Sequence, residues 1–179
     1  MGKGVAVVGL YCDFLAQQEQ STTNMLGAML KQLASRGGIL EHIRKAFQKA
    51  KKEFGGRGLQ LSEMVDTLNK TIRSLPRLFI CIDGLDECTS KHRRELLKSL
   101  REIVRVSPGA RVFLTGRPHI EDEIMRWFSK ALQIPLCPTH GDINTYLEMR
   151  LENDSIPNAM DDQLRADIIR IVPEKVSEM

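Results

Sequence analysis

Three acidic residues follow a short apolar run near the middle of the chain. Residues 78–82 are Leu-Phe-Ile-Cys-Ile, and Asp83, Asp86 and Glu87 occupy three of the next five positions. An apolar run of this length between a proline and a glycine predicts a strand that is buried on both faces of a parallel sheet. Ligands of open α/β sheets bind at the carboxyl ends of the strands. The three acids are therefore candidates for binding a divalent cation together with a nucleotide phosphate.

The same residues also have an ordinary structural interpretation. An Asp-Gly pair after a strand is common in turns. Asp86 and Glu87 would equally suit the first turn of the helix that follows. Taken alone, this segment is compatible with metal and phosphate chemistry and with simple turn formation and helix capping.

A second candidate residue, Arg117, follows another short apolar run. Residues 111–115 predict a strand, and the sequence Gly-Arg-Pro containing Arg117 comes directly after it. Because parallel strands end at one edge of a sheet, we expect Arg117 near Asp83. An arginine at that place can neutralise charge on a transferring phosphoryl group. The alternative is that Arg117 pairs with Asp86 or Glu87, or with the end of a helix.

Length and composition are those of an ordinary globular domain. The chain has 179 residues, of which 42% are hydrophobic and 27% charged, and this is enough for one domain with a substantial core. The net charge of +3 argues neither for nor against nucleic acid. The basic run at residues 44–52 is more typical of a solvated helix face, because no exposed aromatic residues are expected within it. We therefore expect no nucleic-acid partner.

The cysteines and the hydropathy pattern indicate a cytoplasmic protein. Cys12, Cys81, Cys88 and Cys137 show no Cys-x-x-Cys spacing, and no histidine lies at zinc-ligand spacing from them. We expect reduced and mostly buried thiols, as in intracellular proteins. No apolar run approaches the roughly 20 residues needed to cross a bilayer, and no targeting signal is evident. We therefore expect no membrane partner.

Predicted strands alternate with predicted helices along the chain, which is typical of a parallel α/β sandwich. Ser62 is predicted to cap the third helix. The glycines at 37–38 are predicted to end the first helix, and the glycine-rich segment 55–58 is predicted to form a loop. In the second helix, the side chains expected to point inward are Ile39, Ile43, Ala46, Phe47, Ala50 and Phe54. The predicted strands are residues 5–14, 78–82, 111–115 and 131–136, and the helical segments are 25–33, 39–54, 62–75, 89–104, 120–128, 142–151 and 161–172.

The order of these features resembles the NACHT-type signalling NTPases of the STAND class of P-loop ATPases. The likeness is strongest to the nephrocystin-like NACHT domains of filamentous fungi. Residues 78–88 resemble the Walker B segment of that family, and residues 112–118 resemble its sensor-1 strand, in which Gly116 replaces the usual serine. Further similar segments are residues 11–14 at the end of the second strand, 132–134 in the fifth strand and 142–146 in the following helix.

The resemblance implies a fold and a set of roles. The fold would be a three-layer parallel-sheet sandwich of the P-loop NTPase type. Asp83 would hold Mg²⁺ through water and so help to bind ATP or GTP. Asp86 and Glu87 would orient or activate the attacking water, and Arg117 would contact the γ-phosphate as a catalytic and nucleotide-binding residue. These roles suit phosphoryl transfer, which depends mainly on positioning and charge neutralisation.

One part of the family pattern is missing from the sequence. The family binds phosphate with a glycine-rich loop ending in Gly-Lys-Ser/Thr, after the first strand. Residues 1–4 contain a lysine, but no glycine loop precedes it and no serine or threonine follows it. The first strand, the phosphate loop (Walker A) and the first helix are therefore expected to be missing. We accordingly expect poor nucleotide binding and no ATP hydrolysis by this chain alone.

These expectations combine into one main hypothesis and two alternatives. Residues 1–152 would be a partial NACHT-like P-loop NTPase core and 153–179 the start of a following helical region, together a fragment of a nucleotide-binding signalling switch. The first alternative is a non-catalytic α/β interaction module that binds other protein domains or itself. The second is a Mg²⁺-dependent phosphohydrolase, for which Asp13 is the candidate acid at a second strand end.

Overall fold

A computed structural model of the chain describes residues 4–35, 39–53, 58–153 and 160–176. The chain falls into two compact units, Met1–Ala131 and Leu132–Met179. The predicted helix end at residues 37–38 and most of the loop predicted at 55–58 lie outside the described residues. The domain boundary expected after residue 152 stays a prediction.

The first unit contains a parallel sheet of three strands. They are β1 (Val5–Tyr11), β2 (Arg77–Asp83) and β3 (Ala110–Leu114), in the order β1-β2-β3. Tyr11 lies opposite Asp83 in the register, and Ile82 lies opposite Leu114. The carboxyl ends of the three strands therefore meet at one edge, as the sequence predicts. The α/β class with a parallel sheet flanked by helices is confirmed, and it is compatible with a parallel-sheet sandwich.

Helices connect the strands in the first unit, and the regular structure described in the second unit is also helical. Polar side chains cap several of them. Ser21 Oγ accepts from Asn24 N at 3.2 Å before α1, and Thr89 accepts from His92 N before α4. None of the described helices is long and apolar enough to span a membrane. The helices are α1 (Thr22–Ala34), α2 (Glu41–Glu53), α3 (Leu61–Ile72), α4 (Ser90–Val106) and α5 (Glu121–Trp127) in the first unit, and α6 (His140–Glu152) and α7 (Asp162–Val176) in the second.

The core of the first unit lies where α1, α3 and α4 contact one another and where α1 and α4 contact the sheet. Its largest fully buried side chains include Leu26, Leu68, Ile80 and Leu97, one from each of these elements. Burial of each such side chain stabilises the fold by about 1.5–3 kcal/mol. This packing holds the central strand, and therefore its acidic end, in place.

Burial alternates along β2, which differs from the strand buried on both faces that its apolar sequence predicts. Leu78, Ile80 and Ile82 are fully buried, whereas Phe79 is 41% exposed. Successive side chains of a strand point to opposite faces, and the helices that contact the sheet, α1 and α4, belong to the core that buries the face of Ile80. Phe113 of β3 is 58% exposed on the other face. An apolar run cannot reveal which of the two faces has a covering layer.

The strand predicted at residues 131–136 is not formed. Residues 131–139 have no regular secondary structure, and Leu132, Ile134 and Leu136 are exposed. A strand needs a neighbour for its backbone N–H and C=O groups. Pro135 removes one of those donors. The apolar pattern of this segment was therefore misleading.

The buried side of α2 is narrower than predicted. Ile43 and Ala50, which are two turns apart, are buried against the core, whereas Ile39 and Phe47 are exposed. Phe54 lies outside the described residues. The basic run at 44–52 was predicted to be a solvated helix face because no exposed aromatic residue was expected within it. Phe47 is exposed, so that argument does not hold, and the absence of a nucleic-acid partner stays a prediction.

The N-cap of α3 also differs from the prediction. Gln60, and not Ser62, occupies the N-cap position.

β1 forms one edge of the described sheet, and the side chain of Gln32 covers part of that edge. Gly9 N donates to Gln32 Oε1 at 2.9 Å, and Gln32 Nε2 donates to Gly9 O at 2.7 Å. The Gln32 amide, which belongs to α1, thus satisfies both backbone groups as a neighbouring strand would.

Candidate functional site

The acidic segment after β2 turns sharply because of Gly84. This residue has a φ of +67°, in the left-handed region that glycine adopts without strain. A Cβ at this position would lie only 3.0 Å from the carbonyl oxygen of Cys12. The turn continues through Leu85–Glu87, where the fully buried Leu85 anchors it to the core. The left-handed glycine therefore directs Asp86 and Glu87 back over the carboxyl edge of the sheet.

The carboxylate of Asp83 is held by Thr115, the residue directly after β3. Thr115 Oγ1 donates a hydrogen bond to Asp83 Oδ1 and accepts one from Gly84 N at 3.0 Å. Thr115 N also donates to Ile82 O at 2.9 Å, so the sheet pairing extends past the strand. Asp83 Oδ2 has no hydrogen-bond partner in the described part of the chain. One carboxylate oxygen is thus fixed, and the other is available to a ligand.

Thr115 was not among the residues predicted for the site. Its position at the end of an apolar strand, two residues before Arg117, is the signal that could have found it. The sequence alone does not show that a hydroxyl at this point reaches across to the neighbouring strand.

Arg117 lies at the same edge and forms ion pairs with both remaining acids. Asp86 Oδ1 accepts from Arg117 N at 3.2 Å, and Asp86 Oδ2 lies 3.4 Å from Arg117 Nε. Glu87 Oε1 lies 3.5 Å from Arg117 Nη2. The Asp86 side chain is only 7% exposed, whereas that of Arg117 is 73% exposed. The alternative of an Arg117 ion pair is therefore confirmed, and solvent makes it a weak one.

Arg93 of α4 donates hydrogen bonds to the backbone of the acidic turn, a role that the sequence did not reveal. Its Nη1 donates to Cys88 O at 3.0 Å and to Asp86 O at 3.4 Å, and its Nε donates to Glu123 Oε2 at 2.8 Å. Both charged side chains are largely buried. Arg93 shares the buried face of α4 with Leu96, Leu97 and Leu100, and this helical spacing is the only sequence signal for its position.

Asp13 follows β1, but its side chain acts as a helix cap. Asp13 Oδ1 accepts from Leu15 N at 2.9 Å at the start of the single turn Phe14–Ala16. Gln17 Nε2 in turn donates to Glu87 O at 2.7 Å and ties this turn to the acidic segment. A role for Asp13 as a second catalytic acid stays a prediction.

Asp83 fits a Mg²⁺ ion that is bound through water better than one enclosed by protein ligands. Among the described residues, no group of three or more His, Cys, Asp or Glu side chains could hold a metal ion. Mg²⁺ commonly keeps several waters and binds one or two carboxylates plus phosphate oxygens. The unpartnered Oδ2 of Asp83 suits this arrangement.

An open cavity of about 420 Å³ borders Asp83 and Thr115 on the uncovered face of the sheet. Tyr11, Cys81 and Phe113 line its other sides, and none of its described lining residues is a lysine or arginine. The nearby Arg117 guanidinium is engaged by Asp86 and Glu87, so a phosphate could reach this cation only by competing with the two carboxylates.

Cys12 and Cys88 lie in contact behind the acidic turn. Their Sγ atoms are 3.0 Å apart, and both residues are 2% exposed. The hydrogen bond with Cys88, together with burial, raises the pKa of the Cys12 thiol far above its usual range. The same hydrogen bond lowers the pKa of Cys88, and Arg93 acts in the same direction. All four cysteines are free, with Cys81 half-buried and Cys137 exposed.

A comparison with protein-family models identifies the family of the chain. The model described as Nephrocystin 3, N-terminal, matches residues 2–117, which is more than half of the chain. The chain belongs to this family. The nephrocystin-like match covers all three strands and ends at Arg117, so it includes the whole acidic turn and Thr115. Among curated proteins, no sequence matches the chain.

The family match confirms the nephrocystin-like part of the predicted resemblance. The NACHT-type and P-loop assignments, the fungal affinity and the roles of the individual site residues stay predictions.

Proposed function

We propose that this nephrocystin-like chain belongs to a cytoplasmic NACHT-type signalling switch and contributes the Mg²⁺-binding and sensor side of its nucleotide site. The observation that supports this proposal is the common position of Asp83 and Arg117. Thr115 binds the carboxylate of Asp83, and Asp86 binds Arg117. These four residues lie at the carboxyl edge of the neighbouring strands β2 and β3. This edge is where α/β sheets bind their ligands.

In the proposed site, Asp83 binds Mg²⁺ through water with its free oxygen, while Thr115 fixes the orientation of the carboxylate. Bound Mg²⁺ supplies positive charge for the β- and γ-phosphates of ATP or GTP. The Thr115 hydroxyl cannot turn away without leaving Gly84 N without its partner, so the aspartate is oriented before the ligand arrives.

Arg117 would respond to the nucleotide by exchanging partners. Its contact with Glu87 is long and partly exposed, whereas its contact with Asp86 includes a backbone hydrogen bond. A γ-phosphate would therefore displace Glu87 first, and Asp86 would keep the arginine at the rim. The released Glu87 carboxylate would then be free to orient a water molecule, together with Asp86.

We further propose that this chain alone binds nucleotide weakly and does not hydrolyse it. The sequence contains no Gly-Lys-Ser/Thr loop. That loop supplies the backbone N–H groups and the lysine that contact the phosphates in P-loop proteins. One carboxylate and one paired arginine cannot replace those contacts.

Nucleotide titration of the 179-residue chain tests the proposal. A fluorescent ATP analogue is mixed with increasing concentrations of the wild type or of Asp83→Asn. Each titration is carried out once in the presence of Mg²⁺ and once in the presence of EDTA. The substitution keeps an acceptor for Thr115 but removes the charge, so we expect about a tenfold loss of Mg²⁺-dependent affinity. Asp66→Asn is the matched control, because Asp66 pairs with Lys70 on the exposed side of α3. Equal affinities of wild type and Asp83→Asn, or no effect of EDTA, would refute the nucleotide site.

A second candidate function is the interaction module, and the uncovered sheet face favours it. Parallel sheets are normally covered on both faces. Here Tyr11, Phe79 and Phe113 are exposed on one side of the sheet. A chain that binds no nucleotide but associates through this face would be such a module, with a second copy of itself as the partner.

A further inference from the structure

Cys12 and Cys88 come from distant parts of the sequence and meet at the base of the candidate site. They are 76 positions apart, and their Sγ atoms are separated by 3.0 Å. Cys12 directly follows β1, and Cys88 ends the acidic turn that begins at Gly84. The pair therefore connects an edge strand to the segment that carries Asp86 and Glu87.

Backbone hydrogen bonds hold both cysteines where they are. Cys12 N donates to Asp83 O at 2.9 Å, and Cys88 N donates to Leu85 O at 3.3 Å. The Arg93 guanidinium donates to Cys88 O at 3.0 Å. A disulfide has an S–S bond of about 2.05 Å, so closing one here needs a sulfur displacement of about 1 Å.

We propose that Cys12 and Cys88 form a redox-active dithiol, which a peroxide converts into an intramolecular disulfide between the end of β1 and the acidic turn. One thiol attacks hydrogen peroxide, forming a sulfenic acid and releasing one water. The second sulfur attacks the sulfenic sulfur, forming the S–S bond and releasing a second water. Overall, two thiols are oxidised to one disulfide while one hydrogen peroxide is reduced to two waters.

Burial makes this reaction selective for a small oxidant. Both residues are 2% exposed, so large alkylating reagents react first with the exposed Cys137. Hydrogen peroxide is close to water in size and can reach the pair during local opening of the structure. In the protein used for the test, Cys81 and Cys137 are replaced by serine, so any disulfide must form between the two remaining cysteines.

The test uses the full chain with Cys81→Ser and Cys137→Ser, treated with hydrogen peroxide under native conditions. We expect both remaining thiols to disappear together, the intact mass to fall by two hydrogen atoms, and a cross-linked peptide to contain Cys12 and Cys88. Dithiothreitol should restore both thiols. Persistence of the thiols, or oxidation of Cys88 to a sulfinic acid without a cross-link, would overturn the proposal.

Thermal unfolding provides a second readout. A disulfide that closes a long loop stabilises the folded state, so we expect the oxidised protein to melt about 5 °C or more above the reduced one. The variants Cys12→Ser and Cys88→Ala should each lack this peroxide-induced shift. An equal shift in either single-cysteine variant would overturn the proposal as clearly as the absence of a cross-link.

Discussion

At the scale of single residues, the carboxylate of Asp83 depends on one hydroxyl. Thr115 Oγ1 binds both Asp83 Oδ1 and Gly84 N, and so joins the end of β3 to the turn after β2. A single side chain therefore controls the geometry of the acid and of the turn. This makes Thr115 a positioning residue in the proposed site.

Replacing Thr115 with valine tests that role, because the two side chains have nearly the same shape. Valine leaves Gly84 N and Asp83 without their partner, and we expect a loss of about 1–2 kcal/mol in the free energy of unfolding. Urea denaturation measures it. Thr145→Val is the control, because Thr145 donates only to Gly141 O on an exposed turn of α6, and it should cost under about 0.5 kcal/mol. Equal costs for the two variants would contradict the assigned role.

At the scale of elements, α4 connects the acidic turn to α5 through Arg93. Its guanidinium binds two carbonyl oxygens of the turn and Glu123 of α5, with little access to water. Glu123 Oε1 is itself buried, with no hydrogen-bond partner among the residues that the structure describes. The charge of Glu123 is therefore compensated mainly by this arginine.

Arg93→Met should be strongly destabilising, because it leaves the Glu123 carboxylate and two carbonyl groups unpaired in a buried position. We expect a loss of about 3 kcal/mol. The neighbouring Arg94→Met removes the same charge from an exposed position and should cost under about 0.5 kcal/mol. Urea denaturation of both variants measures the difference. If Arg93→Met is as stable as Arg94→Met, the turn does not depend on this arginine.

Sequence patterns predicted the parts of the structure that depend on local interactions. The helix predicted from residue 89 begins there, with Thr89 as the N-cap of α4, and the apolar run at 78–82 lies within β2, because capping and strand formation are set by nearby residues. The covered face of β2 and the absence of a strand at 131–136 depend on which elements pack nearby. The contacts of Thr115 and Arg93 likewise cross between elements, so composition and spacing carried no direct signal for them.

At the scale of the whole molecule, the exposed aromatic face of the sheet in the first unit is the surface best suited to binding another protein. Tyr11, Phe79 and Phe113 present exposed aromatic rings on the sheet face opposite the buried Ile80. Aromatic side chains in such a cluster are common at protein interfaces. We expect copies of the chain to contact one another through this face, and not through the carboxyl edge of the sheet that carries Asp83, Asp86 and Glu87.

Sedimentation velocity over a range of concentrations tests that expectation. The wild type should self-associate, and Phe113→Ala should shift the association to at least about tenfold higher concentration, because a central aromatic contact is lost. Phe47→Ala removes a similarly exposed ring from α2 and should leave the association unchanged. A wild type that stays monomeric throughout, or an unchanged Phe113→Ala, would argue against the interface.

The paired amide of Gln32 limits how such copies could meet. By occupying the N–H and C=O of Gly9, it leaves no continuous row of backbone groups along the outer side of β1. A strand from another molecule would have to break both bonds before it could extend the sheet there. Contact between two sheet faces requires neither bond to break. The Gln32 amide therefore disfavours the addition of further strands at the β1 edge, which is how fibres grow.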